Sequence, residues 1–115
     1  MRSLSASALL VAAFLIGCNE TQHVRYATAA DAVADGAIAR GWLPQVLNAN
    51  VMDIHESHDL DSNHGSADFR YEPGLIPRLQ HQCASKSATD GHLRYQCGDF
   101  TISLDPVRQI GNLSH

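Results

Sequence analysis

The spacing of apolar residues changes twice along this chain. Ala8 to Ile16 is an unbroken apolar run. It is too short to span a bilayer as a helix and has the length of a signal-peptide core. After a polar stretch, Ala30, Val33, Ala34, Ala37 and Ile38 recur at helical spacing. That predicts a helix over about Ala29 to Arg40, with Thr28 as N-cap, Asp31 in the first turn and Gly41 just past the end. From Val51 the period falls to two. Met52, Ile54, Glu56, His58 and Leu60 share one face, and Asp53, His55, Ser57, Asp59 and Asp61 the other. After "SNHG" the alternation resumes, with Ala67, Phe69 and Tyr71 inward and Ser66, Asp68, Arg70 and Glu72 outward. This predicts a hairpin in which Leu60 faces Ala67. That register sets Asp59 opposite Asp68, an unfavourable pair unless a positive group intervenes or the register differs.

"EPGLIPRLQHQ" reads as a connection broken by Pro73, Gly74 and Pro77. A second hairpin follows. A three-residue loop, Thr89 to Gly91, sets Ala88 opposite His92 and, counting back, Cys83 opposite Cys97. Beyond the turn the inward face carries Leu93, Tyr95 and Cys97, then Phe100, Ile102 and Leu104. The change of phase at Gly98-Asp99 predicts a bulge. Asp105-Pro106 ends the strand, and the remaining residues read as frayed. The expected fold class is α+β: one N-terminal helix packed on a small antiparallel sheet of about four strands, two hairpins, pinned by one disulfide.

The apolar run ends in "LIGC", Leu15 to Cys18. This resembles a bacterial lipobox, in which small residues precede a cysteine that becomes the lipidated N-terminus. The resemblance implies a signal peptide at 1–17, lipid on Cys18 with a tether over 18–26, and a single small domain at 27–115. It also implies several acyl chains, enough for stable anchoring where one is marginal. Asn19, in place of an aspartate retention signal, favours the inner leaflet of the outer membrane over the inner membrane. With Cys18 lipidated, Cys83 and Cys97 remain of the three cysteines as an even pair for an oxidising compartment.

The formal net charge is −4. It argues against nucleic acid and an anionic membrane surface as partners, and suits a basic protein or a cation. Seven histidines direct the search for chemistry to "DIHESHDLDSNHG", Asp53 to Gly65. A zincin helix fails there, because His55 and His58 are three apart on a strand and point to opposite faces. An EF-hand loop fails at His64, where glycine belongs, and at Arg70, where a bidentate glutamate belongs. A looser divalent-cation site at Asp59, Asp61 and Asn63 survives. So does a transition-metal site on the outer face built on His55 and Asp59, with His64, Asp68, His81 or His92 as further ligands. The competing reading is a solvated strand face whose turn residues bond their own backbone. Glu56 and His58 fall on the apolar side and need partners there; Tyr71 and Arg70 are the near candidates. Trp42 reads as a core anchor. No phosphate loop, nucleophile elbow or free thiol is present in the pattern, so the expectation is a protein that is not an enzyme.

Arg25-Tyr26-Ala27 before the helix, "GWLP" at Gly41 to Pro44, Asp53-Ile54, "DLDSN" at Asp59 to Asn63 and Phe69 form a set. With them the run Arg25 to Tyr71 resembles the YbbD-head type of small bacterial lipoprotein domain. That resemblance implies a periplasmic-facing domain of largely unassigned function. Asp59, Asp61 and Asn63 belong to the set; His55, His58 and His64 do not. "YQC" at Tyr95 to Cys97 bears a slighter resemblance to membrane-bound lysozyme inhibitors. The functional expectation is a lipid-anchored, non-enzymatic binding, inhibitor or immunity-type module. Its acidic hairpin, with Asp53, His55, Asp59 and Asp68, would meet a basic envelope protein. The alternative is a calcium- or zinc-binding envelope protein using the Asp59–Asn63 loop.

Overall fold

The computed structural model describes residues 21–88 and 90–115. The signal segment, Cys18 and Thr89 lie outside the described residues. The fold is a seven-stranded antiparallel sheet with two short helices, which corrects the expected four-stranded sheet beneath a long helix. The strands are Thr21–Thr28 (β1), Val51–Asp59 (β2), Gly65–Tyr71 (β3), Ala84–Lys86 (β4), Leu93–Cys97 (β5), Phe100–Asp105 (β6) and Ile110–Ser114 (β7). Their spatial order is β1-β2-β3-β7-β6-β5-β4. The helices are Ala29–Ala34 (α1) and Leu75–Gln82 (α2), with a 3-10 turn at Gln45–Asn48.

The expected tether is sheet from Thr21 onward. β1 pairs with β2 from Thr21↔Asp59 to Thr28↔Met52. At the edge of the sheet only Tyr26 is deeply buried, so the apolar alternation that marks inner strands is nearly absent.

Thr28 does cap the helix, its hydroxyl accepting from the N–H of Asp31 at 3.1 Å. The helix stops six residues short of the expected Arg40, because the glycine that ends it is Gly36 and not Gly41. Gly36 has φ +83°. Its N–H donates to the carbonyl of Val33 (3.0 Å) and that of Ala37 to the carbonyl of Ala32 (3.1 Å). These are the two bonds of a Schellman cap. Ala37, fully buried, seals it.

β2 contains an irregularity between Met52 and His55, with Asp53 at φ +49°. The extra residue lets both Val51 and Ile54 face inward. The β2–β3 register pairs Glu56 with Ala67 and His55 with Asp68, four positions from the expected one. An even shift keeps Ile54, Glu56 and His58 on the expected face with Ala67, Phe69 and Tyr71, while the bulge moves Met52, expected inward, to the outer face opposite Arg70. It also removes the Asp59–Asp68 clash. The loop is correspondingly moved two residues toward the N-terminus, beyond the pair His58↔Gly65, and builds itself. Asp59 Oδ1 accepts from the N–H of Asp61 (2.9 Å), the N–H of Asn63 donates to the carbonyl of Asp59 (3.0 Å), and Asn63 takes φ +58°.

The expected connection after Tyr71 is α2. Pro77 sits in its first turn, where a missing N–H costs no intrahelical bond, and Leu75 and Leu79, one turn apart, are fully buried. The expected bulge at Gly98-Asp99 is a two-residue hairpin loop between β5 and β6, flanked by Cys97↔Phe100. Gly98 carries φ +60°, the left-handed first position of a type II′ turn. In the preceding hairpin, Ala84↔Gln96 and Ser85↔Tyr95 follow the expected register, and Cys83–Cys97 is a disulfide with Cα atoms 4.7 Å apart.

The segment expected to fray is β7. It lies in the middle of the sheet, bonded to β3 on one side and β6 on the other. All the buried apolar side chains of the strands, with α1, α2, Leu43, Val46 and Leu47, form one core on one face of the sheet. Among the described residues no helix covers the other face.

Candidate functional site

The covered face buries a carboxyl and an imidazole among its apolar side chains. Glu56 is 2% exposed and His58 6%. Each is the other's partner: Nδ1 of His58 donates to the Glu56 carboxylate, 2.7 Å from Oε1 and 2.8 Å from Oε2. The partners expected from the sequence are elsewhere. The Tyr71 hydroxyl donates to the carbonyl of Asp105 (3.0 Å), and Arg70 lies exposed on the opposite face. Burial pushes the Glu56 carboxyl upward, and the hydrogen bond and charge of His58 pull it back, helped by Arg40 and His23. The Trp42 ring stacks on His58 with centroids 3.6 Å apart and planes 9° from parallel. Trp42 is thus a half-buried cover over the pair instead of a core anchor. Beside it a cleft of about 300 Å³ is lined by Gln22, Tyr26, Asp35, Arg40, Trp42 and His58, among others. The Tyr26 hydroxyl donates to Asp35 Oδ2 at 2.7 Å. Burial first, then that bond, push its pKa to about 12. The Tyr26, Asp35 and Arg40 groups are spent on one another.

The uncovered face is organised differently. Because successive strands are in register, outward side chains form rows across the sheet. One row runs Arg25, His55, Asp68, Asn112, Ser103, Arg94 and Lys86, over all seven strands. Every member is polar or charged. A cleft of about 460 Å³ lies over this row and the next, lined by Asp53, His55, Asp68, Arg70, Asp105 and Arg108, with His92, Ile110 and Asn112. Asp53 is engaged by Arg25 (3.5 Å) and His55 (3.3 Å). Asp105 Oδ1 accepts from the N–H groups of Val107 and Arg108, at 3.0 and 3.1 Å, and these bonds hold its carboxyl below the ordinary range. The side chains of Asp68 and Arg70 make no hydrogen bond or ion pair with any described residue.

Of the residues expected to meet a partner, Asp53, His55 and Asp68 come together in this cleft. Asp59 does not; it lines a shallower depression with His58 and His64. Among the described residues no three His, Cys, Asp or Glu side chains form a group able to hold a metal ion. In the Asp59–Asn63 loop the Asp59 carboxylate is turned onto its own backbone. His55, on the open face, and His58, buried, do point apart as the strand period requires. His92, expected beside His55 and Asp68 as a further metal ligand, does line the cleft with them, whereas Arg70, Asp105, Arg108 and Ile110 are cleft residues that the sequence reading missed. The outward alternation Asp68-Arg70 was a usable signal for one of them; the others reach the cleft only because β7 and β6 pair beside β3.

A family model, that of the YbbD head domain, matches residues 20–70. The segment is therefore similar to the YbbD-head type, in agreement with the resemblance of the run from Arg25 to Tyr71. The match takes in β1, α1, the 3-10 turn, β2 and nearly all of β3. Neither the curated proteins nor the solved structures yield a match.

Proposed function

We propose that this chain is a lipid-anchored protein of the bacterial cell envelope, held through Cys18, which acts as a non-enzymatic binding or inhibitor module. Its binding surface is the uncovered face of the sheet. One observation carries this reading: the helices cover one face only, and the other presents a polar cleft in which Asp53, His55 and Asp68 converge. A partner with a basic contact surface fits the acidic end of this face and the net charge of −4. The anchor follows from the "LIGC" pattern and would hold the face toward the periplasm from the outer membrane's inner leaflet.

Two measurements test the reading. Cells expressing the chain and fed a clickable palmitate analogue should label it, and Cys18→Ser should abolish the label. The immobilised full chain should then retain cationic proteins in preference to anionic ones of equal size. That retention should fall steeply with ionic strength and in Asp53→Asn/Asp68→Asn. Labelling that persists in Cys18→Ser would sink the anchor, and salt-independent or charge-blind retention would sink the binding face.

A further inference from the structure

We infer that the cleft on the open face binds a small zwitterion, a free amino acid or short peptide, with its ammonium group at Asp68 and its carboxylate at Arg70. This rests on the reading of that face as the binding surface and names what the cleft takes. The two residues are two apart on β3 and point to the same side, so their Cα atoms are about 7 Å apart. Both are exposed and neither side chain is paired among the described residues, whereas the other carboxylates of the cleft are committed to Arg25 and His55 or to turn N–H groups. The cross-strand neighbours suit the remainder of such a ligand. Asn112 stands opposite Asp68 and offers a carboxamide donor and acceptor; Ile110 stands opposite Arg70 and is 41% exposed, an apolar seat beside two charges.

Charge selects the ligand class. A purely cationic molecule filling the cleft would meet Arg70 and Arg108, and a purely anionic one would meet Asp53 and Asp68. A ligand bearing both signs avoids these like-charge contacts and, unlike a neutral one, answers both free charges. A volume of about 460 Å³ lies within the range of small-molecule sites and admits a peptide of a few residues.

The test uses the full chain carrying Cys18→Ser, titrated calorimetrically with trialanine, N-acetyl-trialanine and trialanine amide. Free trialanine should bind, and blocking either end should weaken it about tenfold, the loss expected for one charge-assisted hydrogen bond. Asp68→Asn should bind the free and acetylated peptides alike, and Arg70→Gln the free and amidated ones alike. The inference is overturned if trialanine and its blocked forms bind equally, or if none binds. It is also overturned if the amide, a net cation, binds as tightly as the zwitterion, since the cleft is then a plain cation site. In each of these cases a salt-sensitive complex with a cationic protein would leave the wider binding reading standing.

Discussion

Replacing His58 by leucine keeps most of the volume beneath Trp42 and removes the only hydrogen-bond partner, among the described residues, of a carboxylate that is 2% exposed. An uncompensated buried charge costs about 3–5 kcal/mol, and loss of the Trp42 stack adds up to about 1.5 kcal/mol. Stabilities of small domains are about 5–15 kcal/mol, so His58→Leu should unfold at much lower urea than the parent at pH 8, read by circular dichroism. Trp42 fluorescence is unsuitable, since the ring reports the contact itself. The pH dependence carries the sign. Burial holds the Glu56 carboxyl above its ordinary 4.5, and His58 supplies the largest opposing influences. An acid raised in the fold binds protons more strongly folded than unfolded. Its contribution is therefore fully present below about 4.5 and lost as pH rises through the folded value. Without His58 that folded value climbs further. The penalty of His58→Leu, measured against Glu56→Met/His58→Leu, should be greatest near pH 8 and shrink near pH 5. The double variant, with both charges gone, should lie within about 1 kcal/mol of the parent or above it, as replaced buried pairs often do. A single variant costing less than about 1 kcal/mol at pH 8, or a double variant no more stable than the single, would refute the argument that the pair is a mutually compensated burial.

Three further outcomes follow from the fold. Cys83→Ala/Cys97→Ala opens a link between residues 14 apart and should cost about 3 kcal/mol, seen as a drop in melting temperature that reducing agent reproduces in the parent. Gly111→Ala would place a Cβ 2.6 Å from two ring carbons of Phe69 and 2.8 Å from Leu104. Both neighbours are fully buried, so overpacking should cost about 1–3 kcal/mol by urea melting; an unchanged midpoint would mean that β7 does not seat against Phe69. His115 is held below its ordinary 6.5 by burial and then by the charges of His64 and His58. A base depressed in the fold contributes stability present above about 6.5 and lost as pH falls through the folded value. The melting temperature should therefore drop on acidification below pH 6.5, and His115→Phe should flatten that part of the profile.

The parts of the fold that could be read from the sequence are those whose signals are local. The Thr28 cap, the alternation of β2 and β3 and the Cys83–Cys97 register each depend on residues close together in the chain. The failures share a cause in tertiary context. Gly36 and Gly41 are equal candidates to end a helix, and the choice falls to whichever lets Ala37 enter the core. In "IGNLS" the two inward positions are Gly111 and Leu113, and Gly111 is inward because the Phe69 ring fills the space its side chain would take. A central strand with an inward glycine shows no alternation. β1 hides its pattern for the opposite reason, since an edge needs little apolar surface. The candidate site was legible in the same proportion. Asp53, His55 and Asp68 stood out as outward acidic and histidine positions, but the cleft around them depends on long-range pairing.

That dependence bears on what the YbbD-head match can carry. Residues 20–70 supply Asp53, His55, Asp68 and Arg70, one wall and half the floor of the cleft. Ile110 and Asn112 come from β7, and Asp105, Arg108 and His92 from the segments beside it. Two sheets' worth of strands are joined only because β7 bonds to β3 and β6 at once. A chain with the same head but a different second half would keep the free Asp68-Arg70 pair and lose the apolar seat and the far wall. If the open face binds as inferred, Asp68 and Arg70 hold the ligand's charged ends and the residues outside the matched segment set the preference among such ligands, so exchange of residues 105–112 between two such chains should carry that preference with it while leaving the Glu56–His58 pair, wholly within residues 20–70, untouched.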